Sequence, residues 1–325
     1  MMAKVPLKIA IATSGHTVAL KDGTVPIEGF EANFVEVVPI IAAFRRMVRD
    51  VEFDVCEMAP TTYLIARARG APYIALPIFV MRRFHHGGFV VRPDAGIKVP
   101  KDLEGKQVGV RAYSVTTGVW TRGIFTNEYG LDAAKVTWVV DDEEHVTSLE
   151  LPDNVVHAPP GKSLASMMAG GELQAGFTGP AGIGRAGAPT ANWEQGGQTS
   201  AQNYPELIPN VADVEADWFR RTGIYPIHGT IVVKTDVLEK HPKVARALYD
   251  AFTKAKAPYL ERLNRGDGPP EDARYRSFLP LMGDPLPYGM KANRASIEAL
   301  MTYALQQKLI PERMPLDQAF VDPEA

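Results

Sequence analysis

The feature that most constrains this chain is an alternation. Short apolar runs of strand length are separated by stretches with helical spacing, almost from end to end. Residues 7–12, 53–56 and 73–79 read as strands. Between them, 37–50 places Ile40, Ile41, Phe44, Met47 and Val48 on one helical face, and 61–69 is helical up to Gly70. Further along come strands at 88–92, 107–111, 136–140 and 173–177, with a turn of helix at 99–106. Helices at 116–129 and 163–169 are closed by Gly130 and by Gly170-Gly171. Residues 182–199 read as loop, and 205–218 as apolar but irregular. A β-branched strand at 227–234 and helical stretches at 237–261 and 290–307 complete the pattern. Such alternation predicts α/β layers on a largely parallel sheet.

Two strand-helix series are visible, and the tail is too poor in strands to build a third sheet. The economical arrangement is a two-lobed α/β fold with an interlobe cleft: 1–90 plus 230–325 as lobe 1, and 91–229 as lobe 2. The lobes are expected to be joined by crossing strands near 89–92 and 230–234.

Composition narrows the function. The 325 residues carry 35 basic and 38 acidic side chains, a formal net of −3. The basic excess of a nucleic-acid binder is missing. Cys56 is the single cysteine, so neither an internal disulfide nor a multi-cysteine zinc site can form. No segment reaches the roughly 20 apolar residues of a membrane helix. The apolar run near the N-terminus is short and interrupted by Lys8, unlike a secretory signal, so a cytoplasmic location is expected. The partner expected is a small molecule, with no nucleic acid and no membrane; a homo-oligomer is compatible with the sequence.

In open α/β sheets, ligands sit outside the carboxyl ends of strands, which directs attention to the loops just after them. His16 follows the first strand. Glu57, Thr61 and Thr62 follow the second, at a helix start. The third ends in Met81-Arg82-Arg83-Phe84-His85-His86-Gly87-Gly88, the densest polar cluster in the sequence. In the second half, Tyr113, Thr116, Thr117 and Trp120 surround a helix start, where backbone amides can receive a carboxylate. Thr178 follows the strand at 173–177, and His228 lies at the return crossover. Each has a plainer reading: a solvated arginine turn, a histidine that braces, a threonine that caps a helix. Adjacent His85 and His86 cannot both face one pocket from an extended backbone. His145, His157 and His241 fall in loop stretches or at a helix start and are set aside. No phosphate loop, Gly-x-Ser-x-Gly elbow or His-Glu-x-x-His helix is present.

The ordered set of motifs resembles the 4,5-dihydroxyphthalate decarboxylase family. It comprises Asp22-Gly23-Thr24-Val25-Pro26-Ile27-Glu28-Gly29, Phe53-Asp54-Val55-Cys56-Glu57-Met58 and Arg82-Arg83-Phe84-His85-His86. Tyr113 to Trp120 with Arg122-Gly123-Ile124, Glu128-Tyr129-Gly130 and Arg221-Thr222-Gly223-Ile224-Tyr225-Pro226-Ile227 follow. Pro287-Tyr288-Gly289 with Asn293-Arg294 closes the set. The chain departs from the family pattern at His85, commonly arginine, and at Gly87, commonly serine, which removes a permanent cation and a hydroxyl from the implied pocket.

The resemblance implies a type II periplasmic-binding-protein-like fold and loss of carbon dioxide from a hydroxylated aromatic dicarboxylate. A ring carboxylate leaves readily once the carbon bearing it is protonated, helped by electrons pushed from a para hydroxyl. The catalyst then needs a carboxylate clamp, for which Arg82, Arg83, His85 and the Thr116–Thr117 helix start are the candidates. It also needs proton transfer, assigned to His16, His86 and His228 with Glu57 as an orienting or ligating partner. Tyr113, Trp120 and Thr178 are the remaining substrate-binding candidates. No organic cofactor is required; a divalent metal bridging the two phenol oxygens could serve the same end, ligated by His16, Glu57, His86 and His228. The competing readings are a non-catalytic solute-binding protein for an aromatic acid and another enzyme on the same scaffold.

Overall fold

The computed structural model describes residues 4–184 and 204–324. The part of the expected 182–199 loop from 185 onward lies outside the described residues.

Ten strands are present among them: β1 (Val5–Ala10), β2 (Phe30–Phe34), β3 (Val55–Met58), β4 (Tyr73–Arg82), β5 (Phe89–Val91), β6 (Gln107–Gly109), β7 (Thr137–Val140), β8 (Val155–His157), β9 (Ala175–Phe177) and β10 (Ile227–Lys234). They form two five-stranded sheets, in the orders β2-β1-β3-β10-β4 and β5-β9-β6-β7-β8. Each sheet belongs to its own compact unit. Unit 1 comprises 1–83, 227–297 and 314–325, and unit 2 comprises 84–226 and 298–313.

In unit 1, β1 pairs in parallel with β2 and β3, whereas β10 runs antiparallel to both β3 and β4. The sheet is therefore mixed: β1, β2, β3 and β4 run one way and β10 runs against them. Apart from Glu57 and Arg82, β3 and β4 are apolar, and both strands are almost fully buried, as expected of strands covered on both faces. Leu7, Ile9, Val55, Leu76, Ile78, Ile231 and Val233 pack with Val244, Leu248 and Phe252 of the helix Val244–Asn264. In unit 2, β6, β7, β8 and β9 are parallel and β5 is antiparallel on the edge.

The strand at 227–234 does not cross between lobes. It is hydrogen-bonded on both sides inside the unit 1 sheet, β5 belongs to the unit 2 sheet, and the chain passes between units at 83/84, 226/227, 297/298 and 313/314. Residues 298–313, read from sequence as part of lobe 1, belong to unit 2. The reason is specific packing: Tyr303 lies edge-on to Trp120, and Gln307 accepts from Arg122 Nε at 2.7 Å. A Cβ on Gly123 would come within 2.0 Å of the Tyr303 ring, so glycine is what lets that ring seat.

Several elements escaped the sequence reading, among them two strands and two helices of ordinary length. β2 and β8 are edge strands with few buried residues, so they carry little apolar signal. The helix Val211–Thr222 buries only Trp218, and Ala273–Met282 buries only Tyr275 and contains Pro280.

Candidate active site

Within unit 1, the ends of β1, β3 and β4 and the start of the antiparallel β10 share one edge of the sheet. That edge gathers His16, Glu57, Arg82, Arg83 and His228.

Glu57 sits on β3 opposite Ile231 and is 3% exposed. Its Oε2 accepts from the Ala12 backbone N–H at 2.9 Å. A Cβ on Gly229 would lie 3.3 Å from Oε1, so the bare backbone of β10 gives the carboxyl room beside His228. Burial dominates its electrostatics and pushes the carboxyl up to about 7; the Ala12 amide and Lys21 offset only part of this.

His16 is buried against Tyr259, ring centroids 5.4 Å apart, and its Nε2 donates to Val80 O at 2.8 Å. That bond leaves Nδ1 to accept from Ser14 Oγ at 3.1 Å. Burial holds its pKa down at about 4, so the ring is neutral near pH 7. His228 occupies an irregularity in the ladder, between Ile227 paired with Arg82 and Gly229 paired with Met81. Burial first, then Arg83 and Arg274, push its pKa well below the usual value.

The two adjacent arginines diverge. Arg82 is buried and donates to Asn293 Oδ1 and, from NH2, to Ser296 Oγ at 3.4 Å. Asn293 in turn donates to Pro287 O at 3.0 Å and Gly289 O at 2.8 Å. The Pro287-Tyr288-Gly289 and Asn293 motif is thus the cradle of Arg82. Arg83 lies at the end of β4, partly desolvated, and Arg274 adds like-charge repulsion that helps lower its pKa to about 10.

Unit 2 places its candidates on the corresponding edge of its own sheet. Thr116 and Thr117 open the helix Thr116–Tyr129 without a side-chain cap. Just before it, Glu144 has docked onto the backbone: Tyr113 N donates to Oε1 at 2.6 Å, and Ser114 N to Oε2 at 3.1 Å, with the Ser114 hydroxyl bonded as well. An internal carboxylate therefore sits on the loop amides where the sequence suggested a ligand carboxylate. Arg122 is buried over the Tyr113 ring, 4.0 Å to its centroid. Thr178 Oγ1 donates to Gly88 O at 3.1 Å.

His85 stacks parallel to Trp120, centroids 6.4 Å apart and planes 4° apart. His86 meets Trp218 edge-on at 5.0 Å and lines a cavity of about 540 Å³ with Glu128, Tyr129, Asp213 and Arg221. Burial holds its pKa down at about 4 as well. The departure at Gly87 has a steric correlate, since a Cβ there would be 3.1 Å from Val211 Cγ1.

With this geometry in view, the relatives are informative. The 4,5-dihydroxyphthalate decarboxylase of Comamonas testosteroni is 35% identical over 274 residues, covering 81% of this chain and 78% of that protein. The chain belongs to the 4,5-dihydroxyphthalate decarboxylase family. The enzyme of that name from Pseudomonas putida is 37% identical over 183 residues, covering 54% of this chain and 70% of its own. Residues 31–183 match the family model described as ABC transporter, phosphonate, periplasmic substrate-binding protein. Among solved structures, the periplasmic aliphatic sulphonate binding protein of Escherichia coli covers 99% of this chain and 93% of its own, with TM-score 0.55 at 14% identity. The desulfurization enzyme DSZB covers 98% and 97%, with TM-score 0.52 at 15% identity. The fold of this decarboxylase-family chain is thus that of the periplasmic binding proteins.

The metal set read from sequence is not assembled. Among the described residues no three His, Cys, Asp or Glu side chains gather to hold an ion. His86 belongs to unit 2 and packs on Trp218, while His16 and Glu57 are engaged by the backbone of unit 1. Among the described residues, no helix is long and apolar enough to cross a membrane. Two charged residues were missed. Glu144 sits in an acidic loop with no motif around it, and Arg274 lies on a helix that the apolar pattern does not reveal.

Proposed function

We propose that this protein is a carboxy-lyase that removes one carboxylate, as carbon dioxide, from a hydroxylated aromatic dicarboxylate of the 4,5-dihydroxyphthalate type. The observation that carries the reading is Glu57: a buried carboxyl at a strand end, titrating near neutrality, on the sheet edge where β4 ends in Arg82 and Arg83. The named decarboxylases among its relatives support the same chemistry.

In this mechanism Glu57 delivers its proton to the ring carbon that bears the departing carboxylate. The ring–carboxylate bond then breaks, its electron pair returns to the ring, and carbon dioxide leaves. The para hydroxyl supplies the electron push, so no organic cofactor enters the step. Glu57 is reloaded from the phenol or from solvent. A bound dianion raises the Glu57 pKa further and keeps the acid loaded. Arg83 holds a substrate carboxylate as a fixed cation. His16 braces the strand end and does not donate a proton, because its two ring nitrogens are taken up by Val80 O and Ser14 Oγ and an imidazole titrating at about 4 is almost never protonated at pH 7.

The test is incubation with 4,5-dihydroxyphthalate, following carbon dioxide and protocatechuate. Stoichiometric formation of both is expected. Saturable binding without carbon dioxide release would reduce the protein to a receptor.

A further inference from the structure

The edge that carries Arg83 has a second guanidinium that the mechanism has not yet used. The Arg82 backbone N–H donates to Tyr275 Oη at 3.3 Å, which ties the start of the helix Ala273–Met282 to the end of β4. Tyr275 is itself buried, and the Arg274 guanidinium lies over its ring, 5.1 Å from the centroid. Among the described residues that guanidinium has no hydrogen bond and no ion pair. His228 follows Ile227, the ladder partner of Arg82, and Arg83 follows directly on the tied residue; the Arg274 charge acts on both. Two guanidiniums and an imidazole thus belong to the neighbourhood of one strand end.

Like charges gathered in this way repel, and a partly desolvated arginine has lost hydration as well. The arrangement gains free energy once an anion enters, because a planar guanidinium pair matches a carboxylate fork to fork.

We propose that Arg274 acts with Arg83 as the grip on the carboxylate that the aromatic substrate keeps, and so sets the preference for an ortho-dicarboxylate over a monocarboxylate. This rests on the decarboxylase reading. The retained carboxylate is the correct one for a strong cationic clamp, since the departing group must lose its charge as carbon dioxide, and holding that charge would oppose the reaction. Arg274 is a binding residue in this scheme and touches no reacting carbon.

The experiment compares wild type, Arg274→Ala and Arg274→Lys by calorimetric titration with phthalate and with benzoate, beside turnover of 4,5-dihydroxyphthalate. Loss of a charged bidentate contact should weaken phthalate binding about 10- to 100-fold in Arg274→Ala, with Arg274→Lys recovering part of it. Benzoate binding should change little. The KM for 4,5-dihydroxyphthalate should rise by the same factor, with kcat within about 2- to 3-fold of wild type, as expected for uniform binding. Phthalate affinity equal to wild type in Arg274→Ala overturns the inference, whatever the turnover. Phthalate binding that depends on Arg274 in a protein releasing no carbon dioxide would sustain the anion grip while sinking the decarboxylase reading. Because Arg274 is exposed, both variants are expected to fold, and circular dichroism checks this.

Discussion

The two sheet edges treat buried charge in opposite ways. In unit 2 the charges are answered from within: Arg111 meets Asp142 at 3.0 Å, Arg122 is held by Gln307 and the Tyr113 carbonyl, and Glu144 lies on two backbone amides. In unit 1 Arg82 is likewise cradled, but among the described residues Glu57 has one backbone N–H and no cation in contact, and Arg83 is placed near a second arginine. A satisfied network rigidifies, whereas a buried carboxyl without a counter-charge, such as Glu57, stores sensitivity to whatever binds next to it. Unit 2 reads as a finished scaffold, and unit 1 as the half with its chemistry held ready.

The sharpest way to break that comparison is Glu57→Gln, which keeps the shape and removes the titration. Decarboxylation should fall by about 100- to 10,000-fold, the ordinary range for a lost general acid. Stability should move the other way. The folded carboxyl titrates at about 7, above its unfolded value of 4.5, so its neutral form is fully compatible with the fold below pH 4.5. Stability is then lost as pH rises from 4.5 through 7, by about 3 kcal/mol for a shift of this size. Urea titrations should show the variant matching wild type at pH 4 and exceeding it at pH 8. Equal activity, or parallel pH curves, would remove Glu57 from the proton path.

A smaller effect is expected from Glu144→Ala in unit 2. Removing the acceptor of the Tyr113 and Ser114 amides should cost about 1–3 kcal/mol of unfolding free energy. A variant as stable as wild type would mean that the carboxylate is only lodged there, and that the scaffold is less finished than the contrast claims.

The smallest change should come from His86→Phe. Among the described residues His86 Nδ1 has no hydrogen-bond partner and stands 3.9 Å from Glu215 Oε1, so an apolar ring of similar shape should alter stability by less than about 1 kcal/mol. Turnover should stay within about 3-fold of wild type. A fall of a hundredfold or more would restore proton transfer to unit 2.

The apolar strands and the glycine-closed helices could be read from the chain because burial writes a periodic pattern into sequence. β2, β8 and the helix Ala273–Met282 could not, since edge strands and a helix burying one tyrosine have little apolar signal to show. The site was half legible. Strand-end position brought His16, Glu57, Arg83 and His228 onto one edge, but not their division of labour. Histidine has the right pKa in water, yet desolvation penalises imidazolium and carboxylate alike, lowering one and raising the other. Burial therefore transfers the near-neutral titration from His16 to Glu57, a reversal invisible until depth is known. Likewise, nothing in the Arg82-Arg83 pair itself says that the first is tethered by Asn293.

The C-terminal thread has a consequence for how this chain comes into being. Residues 298–313 complete unit 2, and the segment after them returns to unit 1, where Val321 N donates to Ala75 O at 3.0 Å and Tyr63 Oη reaches Ala319 O. During vectorial synthesis neither half can close its hydrophobic interior until nearly the whole polypeptide has left the ribosome. Cutting the gene at the apparent midpoint would yield two fragments that each lack an interior wall, and a stop codon between 298 and 313 would injure both halves together.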